Sequence, residues 1–292
     1  MVKYIARLVN SLSFRGYLKW LPDELFLKIL FRLKVGYPLN IKNPRTFNEK
    51  LQWIKLKDHN PLYTRLVDKY EVRSFVTEKI GGQYLIPLLG VWDDFDSIDF
   101  SEMPSKFVLK CTHDSASVII CKDKSTFNIA KAKKRINRSL KRNYFWTFRE
   151  WPYKNVKPRI IAEQYMEVNP VVGLPDYKIF CFNGEPRIWF TVTNRNNRDP
   201  RCDYFDFQGN RLPFEQGYKN SSVPVAKPSA LETMRECARN LTQGMSICRA
   251  DFYEVDGKVY FGELTLFDSS GLEPFYPKEW DYKLGEMIEL RK

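Results

Sequence analysis

Two carboxylates and a guanidinium stand close together in one stretch of this chain, Arg249 to Gly271, RADFYEVDGKVYFGELTLFDSSG. It reads as two strands joined at Asp256-Gly257, a dipeptide that accepts the positive φ of a tight hairpin turn. Arg249 and Asp251 lie on the first strand. Glu263 and Thr265 lie on the second, Lys258 to Leu266. Unpaired buried charge costs on the order of several kcal/mol, so these groups are expensive as mere structure. Register decides whether they meet. A two-residue loop puts Asp251 and Glu263 on opposite faces. A three-residue loop, Val255-Asp256-Gly257, with Gly257 as a left-handed bulge residue, sets Arg249 against Glu263 and Asp251 against Phe261, with Thr265 on the same side. Oxygens about 5–8 Å apart on one face suit a magnesium ion. The chemistry therefore asks for the bulged hairpin. An amphipathic hairpin whose charges face water is the other reading, and the hairpin alone does not choose.

Further candidates lie upstream. The strand Lys106–Lys110 runs through the loop CTHDSA into a second strand, Ser117–Cys121. A lysine at a strand end followed by a small-polar loop can hold nucleotide phosphates, the ammonium meeting oxygen and loop N–H groups completing the cradle. A solvated lysine beside a hairpin has the same pattern. Glu163 is embedded in the apolar strand Arg159–Met166, and Lys178 in Asp176–Phe182, which Asn183-Gly184 pairs with Pro186–Thr193.

The elements that must position these groups are a mixture. Helices are predicted at residues 3–15, 22–34, 47–57 and 62–80, the second opened by Pro22 with Asp23 and Glu24 in its first turn. Tyr84 to Trp92, broken by Pro87 and Gly90, suits a short strand at a sheet edge. A helix over Phe127–Tyr144 carries seven basic residues, which fits a nucleic-acid patch or a solvated face. The stretch 144–158 reads as a cleft-lining loop. A helix over Ser229–Gly244 shows the stripe Leu231, Met234, Ala238, Leu241.

Composition narrows the function classes. With 292 residues, 43 % hydrophobic and 15 % aromatic, the chain can bury one large or two medium cores. Net charge is 47 − 35 = +12, and residues 1–60 hold twelve Lys/Arg against four Asp/Glu, hence +8. That suits nucleic acid, anionic lipid or an acidic substrate. Six cysteines without a CxxC pair read as free thiols of a reducing cytosol. Two histidines, His59 and His113, exclude a multi-histidine metal site. No apolar run reaches membrane-spanning length and the N-terminus lacks a signal-peptide core, so the expectation is a cytoplasmic protein, with a basic start able to lie peripherally on the inner membrane face.

Taken in order, Lys110 with its small-polar loop, Glu163-Gln164-Tyr165-Met166, Asp176-Tyr177-Lys178, Arg249-Ala250-Asp251 and Glu263-Leu264-Thr265 resemble the ATP-grasp enzymes. FNEKLQWIKLKD, DYKIFCFNGEPR and FGELT look like marks of the TupA-like branch, found with surface-polysaccharide genes. The likeness covers roughly residues 40–290. It implies an α+β ATP-grasp fold: a mostly helical region at 1–100, a small lobe at 101–165, and a large lobe at 166–292, with the nucleotide cleft between the lobes.

Roles follow from the resemblance residue by residue. Lys110 and Lys178 would hold ATP phosphates. Ser115-Ala116-Ser117 would be the flap, and Glu163 to Met166 (Glu163, Tyr165 and Met166 among them) the hinge that reads adenine. Asp251, Glu263 and Thr265 would bind Mg²⁺, and Arg249 would stabilise charge at the acyl phosphate. The implied reaction is ATP- and Mg-dependent joining of a carboxylate, a sugar acid of a capsule, O-antigen or teichuronopeptide, to an amine. This chain departs from the pattern in three places. The flap lacks glycines, Thr265 stands where many relatives have Asn, and Pro170 lies near the usual ribose-binding acid, leaving Glu167 as a candidate. The rival reading is a glycosyltransferase of the same pathway, for which Asp94-Phe95-Asp96 and Asp203-Tyr204-Phe205-Asp206 are the nearest motifs. A nucleic-acid partner is the least favoured.

Overall fold

The computed structural model describes residues 2–115, 117–166, 174, 176–194 and 199–291. Helices α1 (Val2–Phe14) and α2 (Asp23–Lys34) come first and pack on one another. Helix α3 (Phe47–Lys57) begins at a reciprocal cap: the Thr46 hydroxyl accepts from Glu49 N, and the Glu49 carboxylate accepts from Thr46 N. The helix predicted over 62–80 is two, α4 (Leu62–Val67) and α5 (Val72–Ile80). Asp68 breaks it. Its backbone is extended, its carboxylate accepts from Tyr70 N and Glu71 N at 2.8 and 3.2 Å, and Lys69 N is drawn to Thr112 O at 3.1 Å.

A four-stranded antiparallel sheet follows, made of β1 (Leu88–Trp92), β2 (Phe107–Cys111), β3 (Ile119–Cys121) and, later in the chain, β4 (Ile160–Gln164), in the order β1-β4-β2-β3. Strand β1 is an edge strand, as its Pro87 and Gly90 suggest. It pairs with β4 from within the mostly helical stretch before residue 101, so residues 88–92 belong to this sheet. Helix α6 (Ile129–Leu140) packs Ala132 and Ile136 against Phe107, Leu109 and Ile160. The short α7 (Phe145–Phe148) leads back to β4.

The second sheet has five antiparallel strands: β5 (Asp176–Phe182), β6 (Glu185–Thr193), β7 (Arg201–Asp206), β9 (Ile247–Val255) and β10 (Lys258–Thr265), ordered β10-β9-β5-β6-β7. A two-residue β8 (Glu215–Gln216) pairs with β11 (Phe275–Tyr276). Helix α8 (Leu231–Thr242) packs on β5, β6 and β9 with the predicted stripe, Leu231, Met234, Ala238 and Leu241, all buried. Helix α9 (Glu279–Glu286) packs on α3, where buried Asp281 accepts from Asn48 N at 3.0 Å and from the Tyr37 hydroxyl at 2.9 Å.

The hairpin of β9 and β10 differs from the sequence expectation in one respect that matters. Its loop has two residues, not three. Asp256 and Gly257 both take positive φ, 50° and 74°, and Val255 faces Lys258. The extra residue enters lower down, at Gly262, between the pairs Phe261↔Phe252 and Glu263↔Asp251. A bulge is still what flips Glu263 onto the face of Asp251. Space there is tight: a Cβ on Gly262 would lie 3.1 Å from Asp251 O and 3.3 Å from Tyr253 Cε2, so any larger residue would ask the strands to give by a few tenths of an ångström.

Candidate active site

Cross-strand pairing draws the functional groups into one row. Glu263 pairs with Asp251, and Asp251 with Lys178. Lys178 Nζ lies 2.8 Å from Asp176 and also reaches Asp251 Oδ2. Arg249 closes on the same carboxylate with two parallel bonds of 2.7 Å, from Nε to Oδ1 and from Nη2 to Oδ2. It also meets Asp268 through Nη1, and Glu263 at 3.3 Å. The Thr265 hydroxyl is 3.3 Å from Glu263 Oε1. Burial alone would raise the Asp251 carboxyl, but Arg249 and Lys178 outweigh it and hold the group below the usual carboxylate range. Burial likewise works against the Arg249 charge, and Asp251 and Asp268 overcome it.

The first sheet faces this row with a second ion pair. Lys110, on β2, bonds Glu163 of β4 at 2.6 Å, and Arg73 of α5 reaches the other oxygen of Glu163 at 3.3 Å. Arg73 is anchored by Ile86 O at 2.8 Å. Between the two sheets lies a cleft of about 290 Å³ whose walls include Lys110, Ser115, Glu163, Lys178, Asp251 and Glu263. Arg73, Lys69, Asp176, Tyr153 and Tyr253 also line it.

Other predicted residues sit differently. Ser115 bonds the Tyr144 hydroxyl at 2.8 Å. Ser117 is buried and structural in its contacts, donating to Asp114 and accepting from Cys111 N at 2.8 Å. Ala116, Glu167 and Pro170 lie outside the described residues. Tyr165 and Met166 follow the end of β4. Arg249 and Thr265 are beside the row rather than in the cleft wall. The glycosyltransferase motifs are elsewhere: Asp203 is buried against Arg211 and Ser221, and Asp94 binds Ser97 in an exposed turn.

Sequence reading missed Arg73, which sits mid-helix without a motif, and Asp268, which stood in the opening stretch as DSSG. Asp268 is carried by a tight turn, Asp268–Gly271, tied to α3 by Gln52 Nε2 and Lys55 Nζ, which donate to Ser270 O at 2.9 and 2.7 Å. Lys55 is buried and interacts electrostatically with buried Glu150, whose carboxyl burial pushes up.

The donor set fits a hard divalent ion. Four carboxylates (Asp176, Asp251, Glu263, Asp268) face two cations (Lys178, Arg249), so the cluster carries 2 − 4 = −2, all through oxygen. Among the described residues no three His, Cys, Asp or Glu side chains form a ready-made cage. Both Asp251 oxygens are taken by Arg249 and Lys178. Such a site suits magnesium held by one or two carboxylates together with substrate phosphates.

Two α+β lobes holding a lysine-and-carboxylate cleft between them are the architecture of the ATP-grasp fold. The chain belongs to the TupA-like ATP-grasp family, whose model matches residues 49–289. Solved structures similar to it include D-alanine–D-alanine ligase from Helicobacter pylori (15 % identity, 77 % of this chain and 61 % of that one, TM-score 0.41). The ATP complex of the Bacillus anthracis D-alanine–D-alanine ligase (14 %, 76 % and 64 %, TM-score 0.43) is another. L-amino acid ligase from Bacillus licheniformis is a third (13 %, 87 % and 57 %, TM-score 0.47). The chain thus spans about two thirds or less of the length of each of these three. A search of curated protein sequences returns no match.

Proposed function

We propose that the protein joins a carboxylate, a sugar acid of a surface polysaccharide, to an amine such as an amino acid at the expense of ATP. The observation that carries this reading is the Glu263–Asp251–Lys178 row facing the Lys110–Glu163 pair across one cleft. Lys110 and Lys178 would meet phosphate oxygens as point charges. Each is parked on a carboxylate, Glu163 and Asp251. An arriving polyphosphate would compete for each ammonium, while Arg249 keeps its bonds to both Asp251 oxygens. Glu263 and Asp251, with Thr265 at the edge, would hold magnesium, which when bound would supply neutralisation of the transferring phosphoryl group.

The substrate carboxylate attacks the γ-phosphorus and ADP leaves. The amine then attacks the acyl carbon, phosphate departs, and the amine proton passes to solvent or a nearby base. Arg249, fixed by Asp251 and Asp268, presents a rigid positive charge beside this path. An acyl phosphate hydrolyses readily, so the loop at Ser115, lying against Tyr144, serves as the cover that keeps water out.

The basic N-terminal region serves an anionic partner, a polyanionic glycan or the inner membrane face. No described helix is long and apolar enough to cross a membrane.

The test is ADP release over a panel of uronic acids combined with amino acids, with amide products read by mass spectrometry. A product mass equal to acid plus amine minus water supports the reading. ADP release with no amide, or glycosidic products from nucleotide sugars, would overturn it.

A further inference from the structure

The first thirty residues turn apolar side chains outward. Among the described residues seventeen large apolar or aromatic side chains are exposed, and eight of them fall between Tyr4 and Ile29. The largest are the most exposed: Trp20 at 76 %, Tyr4 at 73 % and Tyr17 at 64 %. On α1 the helical spacing puts Tyr4, Ile5 and Leu8 on one face, while the buried Ala6 and Ser13 lie toward the other. The helix is held by that second face. Ser13 Oγ donates to Trp146 O at 2.6 Å, and α1 packs on α2 and α7. On α2, Leu25 and Ile29 are exposed one turn apart while Phe26, Leu27 and Leu30 are buried. An apolar face left outward on two neighbouring helices is not a random scatter of surface leucines.

Charge surrounds it. Residues 3–34 hold seven Lys/Arg and two Asp/Glu, 7 − 2 = +5. Both acids are already taken: Asp23 by Arg149 at 2.7 Å, Glu24 by Lys28 at 2.7 Å. The basic character continues where α1 ends. A pocket there is lined by Phe14, Arg135, Arg138 and Arg142, with the Arg142 guanidinium 4.2 Å from the Phe14 ring centroid.

We propose that α1, the turn through Trp20 and the exposed face of α2 form a docking surface for an anionic lipid bilayer. Leu, Ile, Tyr and Trp side chains edged by Lys and Arg match the boundary between acyl chains and negative headgroups. A soluble polyanion would use the cations and leave Tyr4, Leu8 and Trp20 without a role. A second copy would bring +5 against +5. The surface thus deepens the anionic-partner reading and narrows it to lipid. It holds the enzyme where a lipid-linked acidic substrate would be presented.

The experiment is vesicle flotation of the full chain with phosphatidylcholine alone and with phosphatidylcholine plus phosphatidylglycerol, at low and physiological salt. Two variants probe the surface: L8Q/W20Q removes apolar contact and R7E/R15E reverses charge. Binding only to the phosphatidylglycerol vesicles, weakened at least about tenfold in both variants, is the expected result. ADP release in solution should stay unchanged in both, which keeps this test independent of the ligase reading. No binding, or binding unaffected by either variant, overturns the proposal. So does a dimer by light scattering that L8Q/W20Q disrupts, since the face would then belong to a second copy.

Discussion

Glu263→Gln is the substitution that best separates function from folding at this site. The Glu263 side chain is 44 % exposed and reaches Arg249 only at 3.3 Å. Arg249 keeps Asp251 and Asp268 when it is lost. An exposed ion pair of this kind is worth about 0–1 kcal/mol, so the urea midpoint should barely move. The effect on chemistry should be much larger. The cluster falls from −2 to −1, and one of its carboxylates facing the cleft becomes a neutral amide that binds magnesium weakly. A loss of about 10²-fold in turnover corresponds to about 2.7 kcal/mol of transition-state stabilisation. The assay is coupled ADP release at saturating substrates, repeated across a magnesium titration, with chemical denaturation run in parallel. Turnover within about threefold of the parent at every magnesium concentration would refute the metal role. Asp251→Asn is a poorer probe. That carboxylate is buried with both oxygens in ion pairs, and breaking such a set costs about 3–5 kcal/mol of stability by itself.

Three further outcomes are expected. Lys110→Met leaves Glu163 its bond to Arg73, so it should fold and raise the KM for ATP by about tenfold or more; an unchanged KM would remove Lys110 from the phosphate site. Gly262→Ala puts a methyl 3.1 Å from Asp251 O; it should cost about 1–3 kcal/mol by denaturation and also lower turnover by shifting Glu263, whereas full stability would show that the bulge does not need glycine. Burial pushes the Lys55 ammonium down from 10.5 to about 8, so between those values the unfolded chain holds a proton that the folded chain has released, and the fold gains stability as pH rises through the window. The stability of wild type relative to Lys55→Met should rise by up to about 3 kcal/mol across it, measured by urea unfolding; a constant difference would count against the shift.

Much of the fold was legible because it is local. Asn183-Gly184 and Asp256-Gly257 mark their hairpins through the positive φ they tolerate, and both turns form with two residues. The stripe on α8 and the edge position of β1 follow from periodicity and from Pro87 with Gly90. Glu163, Lys178, Asp251 and Glu263 stood out as charge embedded in apolar strands and Lys110 as a strand-end lysine, and the family resemblance joined them into one candidate site.

What tertiary structure decided is which of these charges meet. Sequence places a bulge near Gly257, whereas the bulge sits at Gly262, where Asp251 O and the Tyr253 ring come close to where a side chain would start. Asp68 breaks the helix after Val67 because Lys69 N finds Thr112 O, a partner far along the chain. Arg73 joins Glu163 from a helix with no motif, and Asp268 joins Arg249 from a turn held by α3. Alternation and turn chemistry act over a few residues and can be read along the chain. Long-range ion pairs depend on register and on the packing of distant elements, which no local pattern encodes.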